Sequence, residues 1–171
     1  LKKKMGIMTR IYFLELIDSI ILEGHQDRRI FNLLQQTLSA LRQQSELDSL
    51  IRLFEIRLLS LSGYKPQMDN CVACKTRSEN GVFKFSFIQN GILCGNCSRR
   101  IPTDIEFTAG TRNYIKKLME VEIKSCSRIK IPKNQAEEIE KVTHRLVLSH
   151  LGREPKSYPF IKTMAKFTCN K

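Results

Sequence analysis

The most constraining feature of this 171-residue chain is a pair of CxxC motifs, Cys71-Val-Ala-Cys74 and Cys94-Gly-Asn-Cys97, separated by nineteen residues. Two residues between thiolates let one tight turn present both sulfurs to a single ion, and Zn²⁺ accepts tetrahedral sulfur ligation. Four cysteines fill the coordination shell and leave no position for water or a substrate. We therefore predict one structural Zn²⁺, whose binding stabilises a segment too small to bury a core of its own.

The same four cysteines could instead form two disulfides or remain as buried free thiols. A disulfide framework needs an oxidising compartment, and nothing in the sequence indicates export. The segment between the motifs also favours one metal site. Residues 82–88 have the composition of a strand, Asn90-Gly91 is a turn signal, and residues 92–93 lead back to Cys94. A β-hairpin would therefore join the two motifs.

Composition limits the class of protein and its partners. A hydrophobic fraction of 42% is enough for a globular core, and a formal charge of +12 favours a polyanionic partner, either nucleic acid or an anionic membrane surface. Lys2-Lys3-Lys4 before an apolar segment resembles a signal peptide, but Arg10, Glu15 and Asp18 interrupt that segment. We therefore expect a cytoplasmic protein with no membrane partner.

Helical periodicity dominates the sequence before the cysteine motifs. The first segment carries an apolar stripe that we expect to be buried, formed by Ile7, Ile11, Leu14, Ile17 and Ile21. Asp27 is a predicted cap for a second helix, and Ser45 with Asp48 resembles a capping box for a third, which Gly63 would end.

Helical signals return after the second motif. Thr108 is a predicted cap for a short helix, and Lys133-Asn134 would open a last long helix that Gly152 ends. In the tail we expect apolar side chains to dock onto the helices, namely Phe160, Ile161, Met164 and Phe167.

The predicted fold class is mainly α: a helical bundle with an inserted small zinc-binding β-hairpin module that has four cysteine ligands. The first part of the helical domain would span residues 1–68 and the zinc module residues 69–100. Residues 101–171 would supply the second part of the helical domain and the tail.

Basic residues near the metal motifs and in the tail are candidates for nucleic-acid binding, the alternative being a solvated surface. The first group is Lys75, Arg77, Lys84, Arg99 and Arg100, and the second is Arg153, Lys156, Lys162 and Lys166. The second group could instead meet an acidic peptide. The aromatic stripe Phe83, Phe85 and Phe87 could stack on bases, but such a stripe is more often core.

The histidines, the two remaining cysteines and the sequence motifs indicate no further functional site. We expect His25, His144 and His150 to lie on surfaces or helix faces, because four thiolates already saturate one Zn²⁺. Cys126 and Cys169 are expected to be unpaired thiols. The sequence holds no nucleophile motif, phosphate loop or metalloprotease helix, so we predict that the protein is not an enzyme.

The order and spacing of several motifs resemble the bacterial recombination mediator family RecO. They are Phe54-Glu55-Ile56-Arg57-Leu58-Leu59, Gly63-Tyr64-Lys65-Pro66, the two CxxC motifs with Gly91-Ile92-Leu93 before the second, His150-Leu151-Gly152-Arg153, Lys156-Ser157 and Phe160-Ile161. The resemblance covers nearly the whole chain.

The resemblance implies a non-enzymatic DNA-repair protein of the bacterial cytoplasm, associated with the nucleoid. It would bind single-stranded DNA, RecR and the C-terminal tail of single-stranded DNA-binding protein, and indirectly help to load RecA in the RecFOR pathway. The family has an N-terminal oligonucleotide-binding barrel, and this sequence begins where we expect the barrel to have ended. The alternative is a zinc-ribbon protein-interaction module of a replication or transcription accessory factor.

Overall fold

The computed structural model describes residues 2–21, 27–42, 46–77, 81–122 and 130–169, with the side chains of residues 2, 3 and 164–169 outside that description. Within these ranges the chain is mainly helical, as predicted. The helices are α1 (Lys2–Ile20), α2 (Arg28–Arg42), α3 (Leu47–Leu61), α4 (Ala109–Glu120), α5 (Ala136–Leu151) and α6 (Tyr158–Cys169). The strands are β1 (Val82–Ser86), β2 (Gly91–Leu93) and β3 (Ile105–Thr108). Single 3-10 turns span Cys97–Arg99 and Lys133–Gln135.

Helix α3 is the central helix, because ten of its fifteen residues are buried and it packs against α2, α4 and α5. It ends as its sequence predicts. Gly63 takes a left-handed conformation with φ 88°, and the Tyr64 amide donates to the Leu59 carbonyl at 2.8 Å. This pattern satisfies carbonyls that the helix end would otherwise leave without partners.

The other predicted caps have mixed outcomes. Asp27 Oδ1 accepts from the Arg29 amide at 2.8 Å, and Thr108 accepts from the Thr111 amide at 3.4 Å, so both caps are confirmed. Gly152, with φ 67°, ends α5. Ser45 lies outside the described residues, and α3 begins after Glu46, whose side chain makes no capping bond.

The buried face of α1 differs from the predicted one. Thr9, Tyr12, Phe13 and Leu16 are fully buried, whereas Ile7, Ile11 and Leu14 are about half exposed. The segment has apolar residues on most of its circumference, so periodicity alone does not fix which face packs. Tyr12 decides it, since its hydroxyl reaches a carboxylate on α3.

The docking prediction for the tail is right for one residue and wrong for another. Ile161 is buried on α6, whereas the Phe160 side chain is 61% exposed. Neighbours along a helix point in directions about 100° apart, so both cannot face the same core. The side chains of Met164 and Phe167 lie outside the described residues.

The predicted hairpin is the larger part of a three-stranded antiparallel sheet with strand order β2-β1-β3. Strand β3 is an element that the sequence pattern did not predict. Phe83 and Phe85 of β1 pair in register with Phe107 and Ile105 of β3, and all four side chains are buried. The base-stacking interpretation of the aromatic stripe is therefore wrong for Phe83 and Phe85, and Phe87 is half-buried against the same core.

One apolar cluster extends from the sheet into the helices, so the hairpin does not stand apart from the bundle. Two arginines cover phenylalanine rings at the edges of this cluster. The Arg112 guanidinium of α4 lies 4.8 Å from the Phe83 ring centre, and Arg145 of α5 lies 5.1 Å from that of Phe87. Arg145 also donates to the Asp104 carbonyl at 2.9 Å, which ties α5 to the start of β3.

A buried polar cluster joins α1, α3 and α5. Glu55 is fully buried, accepts from the Tyr12 hydroxyl at 2.6 Å and lies 2.8 Å from Arg52 Nη1, which also donates to Thr143 at 3.1 Å. The pair shares one face of α3, three residues apart. Because each charge is taken out of water, each depends on the other for compensation.

The cluster continues to α6 through aromatic rings. The Tyr158 ring stacks on His144 with 3.6 Å between centres, and its hydroxyl donates to Glu140 at 2.8 Å.

Glu15 of α1 accepts from the amides of Lys156 and Ser157, at 2.6 and 3.0 Å, immediately before α6. The last helix is thus held to the first by polar contacts.

Replacing Glu55 with Leu should lower the free energy of unfolding by about 3–5 kcal/mol, because Arg52 would remain buried without its counter-charge. Urea titration followed by circular dichroism measures this loss. The same change at an exposed helical position, Glu120→Leu, should cost under about 0.5 kcal/mol. The double variant Arg52→Met/Glu55→Leu should recover part of the loss, and equal losses in the single and double variants would contradict the interpretation.

Candidate metal centre and surrounding basic surface

The four predicted ligands come together at one end of the sheet. The sulfur atoms of Cys71, Cys74, Cys94 and Cys97 all lie within 4.8 Å of one another, and Cys74 Sγ is 3.6 Å from Cys94 Sγ. A tetrahedron with Zn–S bonds of about 2.3 Å has edges of roughly 3.8 Å, so the spacing is that of a ligand shell. No two of these sulfurs form a disulfide.

The first motif is a tight turn built by backbone bonds. The Lys75 amide donates to the Cys71 carbonyl at 2.9 Å, and the Cys71 amide donates to the Thr76 carbonyl at 2.9 Å. Lys75 has φ 63°, in the left-handed region, where the chain reverses after the second ligand. The turn therefore points both sulfurs toward the same space.

The second motif runs directly into a 3-10 turn. The Ser98 amide donates to the Cys94 carbonyl at 2.9 Å, and the amides of Arg100 and Ile101 both donate to the Cys97 carbonyl. Two consecutive arginines therefore follow the fourth ligand on a backbone whose conformation is fixed by hydrogen bonds.

Strand β2 holds the two motifs together, and Gly91 makes this possible. The Val72 amide donates to the Ile92 carbonyl at 2.9 Å, and the Ile92 amide donates to the Gln67 carbonyl at 3.0 Å. A Cβ on Gly91 would lie 2.1 Å from Val72 Cγ1 and 2.9 Å from Gln67 Cβ. Only glycine lets the first motif pack this closely on the strand that leads to the second.

The thiols have unequal proton affinities. Burial raises the pKa of Cys71, but hydrogen bonds from the backbone amides of Cys74, Cys94 and Ala73 outweigh it and lower that pKa overall. The Thr76 hydroxyl and amide lower the pKa of Cys74 to about 6. Hydrogen bonds from the protonated Cys97 thiol to Cys94 and Cys74, with a smaller contribution from burial, raise the pKa of Cys97 to about 12. A divalent cation would favour the deprotonated form, since it binds thiolates.

The donor set therefore fits a single Zn²⁺ held by Cys71, Cys74, Cys94 and Cys97. Four soft sulfur ligands favour Zn²⁺ over the oxygen-seeking Mg²⁺ and Ca²⁺. All four positions are protein ligands, so such an ion would cross-link the two motifs and activate nothing.

The structure places the predicted basic residues near the metal in different settings. Arg99 and Arg100 are exposed beside Cys97. Lys84 lies across the sheet from Glu106, with 3.3 Å between Nζ and Oε1, and Lys75 Nζ folds back onto the Val72 carbonyl at 3.0 Å. Arg77 is exposed beside the first motif.

The tail candidates lie at the opposite end of the sequence, around the start of α6. Arg153 and Lys156 are exposed, and Lys162 Nζ is 3.7 Å from Glu140 Oε1. Lys166 lies on α6, with its side chain outside the described residues.

The remaining candidates do not join the metal cluster in the described part of the chain. His144 is half-buried against Tyr158, with Nε2 3.2 Å from Glu154, and His150 packs on Tyr64 with 4.2 Å between ring centres. Both histidines therefore lie on helix faces, as predicted. His25 and Cys126 lie outside the described residues, as does the side chain of Cys169.

Sequence reasoning missed how the metal region is fastened to the helices. Arg112 Nε of α4 donates to the Met68 carbonyl at 2.6 Å, and Lys116 of α4 pairs with Asp69. Both contacts hold the segment immediately before Cys71. The spacing of Arg112 and Lys116, four residues apart on one helix face, was the available signal, but nothing in the sequence gives their partners.

Comparison with known proteins matches the amino-acid sequence of this chain to one family. The family model described as "Recombination protein O C terminal" matches residues 8–159. The chain belongs to this RecO family. Similar relatives are each named "DNA repair protein RecO". One from Alkaliphilus metalliredigens is 31% identical over 83% of this chain and 58% of its own length. One from Acetivibrio thermocellus is 26% identical over 92% of this chain and 63% of its own length.

A third RecO relative, from Desulforamulus reducens, is 26% identical over 91% of this chain and 60% of its own length. The chain therefore spans about three fifths of the length of the curated relatives it matches. None of the helices in the described ranges combines the length and the apolar composition that a membrane crossing requires.

Substituting Gly91 with Ala should weaken metal binding, because the added methyl group would force the first motif away from β2. We expect the free energy of unfolding of the metal-loaded protein to fall by about 1–3 kcal/mol. We also expect faster metal loss to a chelator, measured by competition with a chromogenic dye.

The matched control for this substitution is Gly95→Ala, within the second motif. No atom lies within 4 Å of the position that its Cβ would take. This variant should retain wild-type metal affinity. If the two variants lose metal at the same rate and are equally stable, close packing at Gly91 does not determine metal binding.

Proposed function

We propose that this chain acts in DNA repair and homologous recombination as part of a non-enzymatic mediator of the RecFOR pathway. The observation that carries the proposal is the match of the RecO family model to residues 8–159, which spans both the helices and the cysteine motifs. The relatives' shared name, DNA repair protein, agrees with it. The chain would bind single-stranded DNA and partner proteins, and so support strand annealing and RecA loading in the bacterial cytoplasm, at the nucleoid.

The metal in this proposal is one structural Zn²⁺. The four-cysteine donor set and the sulfur spacing support it. Its role would be to fix the two motifs on β2, and with them the basic residues that flank each motif. Residues 69–100 would then act as a rigid module continuous with the helical domain of residues 1–68 and 101–171.

DNA contact would be made through phosphates. Arg99 and Arg100 are the strongest candidates, because both are exposed on a hydrogen-bonded turn. Lys84 and Lys162 each face a carboxylate, which reduces their net attraction for phosphate. Lys75, Arg77, Arg153 and Lys156 would add long-range attraction. Since Phe83 and Phe85 are buried, little base stacking is expected from this module.

Protein partners would use a different surface. An apolar groove of about 780 Å³ lies between α1 and the start of α6, lined by Ile11, Leu14 and Phe160, with Lys156, Glu15 and Asp18 as its charged residues. Glu15 is already hydrogen-bonded to backbone amides, so Lys156 is the cation available to an acidic peptide, and the apolar floor suits a terminal aromatic residue. We propose that the tail of single-stranded DNA-binding protein docks here, and that RecR is a further partner of the complete mediator.

The same groove favours a second candidate function, a zinc-ribbon module that binds protein rather than DNA in a replication or transcription accessory factor. Half-exposed Ile11 and Leu14 and 61%-exposed Phe160 form an apolar surface larger than isolated exposed side chains provide. Salt-dependent binding to single strands separates the two functions.

If phosphate contacts dominate, log K for single-stranded DNA should fall with log salt at a slope of roughly −0.7 per phosphate, or −2 to −3.5 for about three to five contacts. Replacing Arg99 and Arg100 together by Ala should flatten the slope by about one unit. Fluorescence anisotropy with a labelled oligonucleotide at several salt concentrations measures it.

Lys84→Ala is the control for that experiment, because its ammonium already faces Glu106. It should change the slope much less than the double arginine variant. Binding that hardly responds to salt would rule out the phosphate interpretation, and no binding at low salt would favour the protein-interaction module.

The groove should bind an acidic peptide that ends in Phe, and removing that Phe should weaken binding at least about tenfold, because an aromatic anchor in an apolar pocket contributes about 2 kcal/mol or more. Leu14→Ser should weaken binding of the complete peptide, measured by anisotropy. Ile88→Ser is the matched control, since Ile88 is 86% exposed in the turn between β1 and β2 and is not part of the groove lining. Equal affinity for both peptides would reduce the contact to charge attraction.

A further inference from the structure

The four metal ligands differ in how accessible they are to solvent. Cys71 is fully buried, Cys94 and Cys97 are half-buried, and Cys74 is exposed. The Cys71 sulfur is further covered by amides of its own turn and of the second motif. A small oxidant that reaches this site from water therefore meets the Cys74 sulfur first.

The structure also places a second thiol beside Cys74. Cys94 Sγ is 3.6 Å away, on the other motif, and the two residues are twenty positions apart in sequence. An S–S bond is about 2.05 Å long, so the two atoms must approach by roughly 1.5 Å to form one. The pair thus joins an accessible sulfur to a close resolving sulfur.

We propose that Cys74 and Cys94 form a peroxide-sensitive pair whose oxidation to a disulfide releases the metal. The proposal rests on the zinc site put forward above. In the first step the Cys74 thiolate attacks hydrogen peroxide, the O–O bond breaks, and a sulfenic acid and one hydroxide form. The Cys94 thiolate then attacks that sulfur and displaces a second hydroxide. Two thiolates are oxidised and one peroxide is reduced.

Cys74 and Cys94 belong to different motifs, so their oxidation takes one ligand from each motif. The ion then keeps only Cys71 and Cys97 and is no longer held by a complete tetrahedron. The new disulfide, however, still joins the two motifs, as the metal did. Oxidation would therefore replace one cross-link by another, and the module would keep its fold while it loses its ion.

The test uses the full chain carrying Cys126→Ser and Cys169→Ser, so that only the four site cysteines remain. Zinc content is measured first by elemental mass spectrometry, with about one ion per chain expected. Hydrogen peroxide is then added, zinc release is followed with a chromogenic chelator, and free thiols are alkylated before peptide mapping. Absence of zinc at the outset would refute the zinc site itself rather than the oxidation pair.

Zinc release should coincide with a disulfide between the peptides that carry Cys74 and Cys94, with Cys71 and Cys97 alkylated. Dithiothreitol and added zinc should restore the starting protein. The melting temperature of the oxidised form should lie between those of the reduced metal-free and metal-loaded forms. Disulfides within a motif, or zinc retained under peroxide, would overturn the proposal.

Two matched variants locate the reaction, since sites with three cysteines and one histidine also hold zinc. Cys74→His removes the accessible thiol and should keep its zinc under peroxide at least about tenfold longer. Cys97→His preserves the Cys74–Cys94 pair and should release zinc at close to the parent rate. Equal resistance of both variants would show that the pair is not where oxidation begins, and the peptide map of the parent decides the question if either variant fails to load.

Discussion

The packing of β1 and β3 phenylalanines into the helical core is the interaction on which the rest of the structure depends. Phe83, Phe85 and Phe107 are buried in the same cluster as the residues of α3, α4 and α5. The sheet has three short strands, and the apolar face that its phenylalanines form is covered by the helices. Because these helices are the bundle itself, the metal region is oriented by the helices, and Arg112 and Arg145 add polar contacts at its two edges.

The bundle is in turn specified by charges buried within it. An apolar contact between α1 and α3 would tolerate several rotations of a helix that is apolar on most sides. The hydrogen bond from the Tyr12 hydroxyl of α1 to Glu55 favours one rotation, because any other would leave that buried hydroxyl without this partner. Stability and orientation therefore have different sources: the apolar cluster supplies most of the burial, and the Glu55 cluster selects which faces meet.

This division explains which features could be predicted from sequence. The convergence of the four cysteines, the caps at Asp27 and Thr108 and the helix end at Gly63 depend on local chemistry, so the sequence was sufficient for them. The exposure of Ile7 and Phe160, the third strand and the role of Gly91 depend on partners distant in the chain, which no periodicity specifies. Glu55 lay within a family-like motif, yet its burial became evident only once α1 and α5 were placed around α3.

The location of the candidate metal site indicates what a cross-link would add in a region that already shares a core. Strand β2 has three residues and lies at the edge of the sheet. Few backbone hydrogen bonds connect the two motifs to it. Ile92 and Leu93 hold β2 in the core, whereas Cys74, Cys94 and Cys97 are exposed or only partly buried, so little apolar burial opposes separation of the two motifs. A metal bound by sulfurs from both motifs would close the loop between them and reduce the entropy gained by opening. The arginines that follow Cys97 would then be presented from a rigid backbone, so fewer degrees of freedom would be lost in the phosphate contact proposed above.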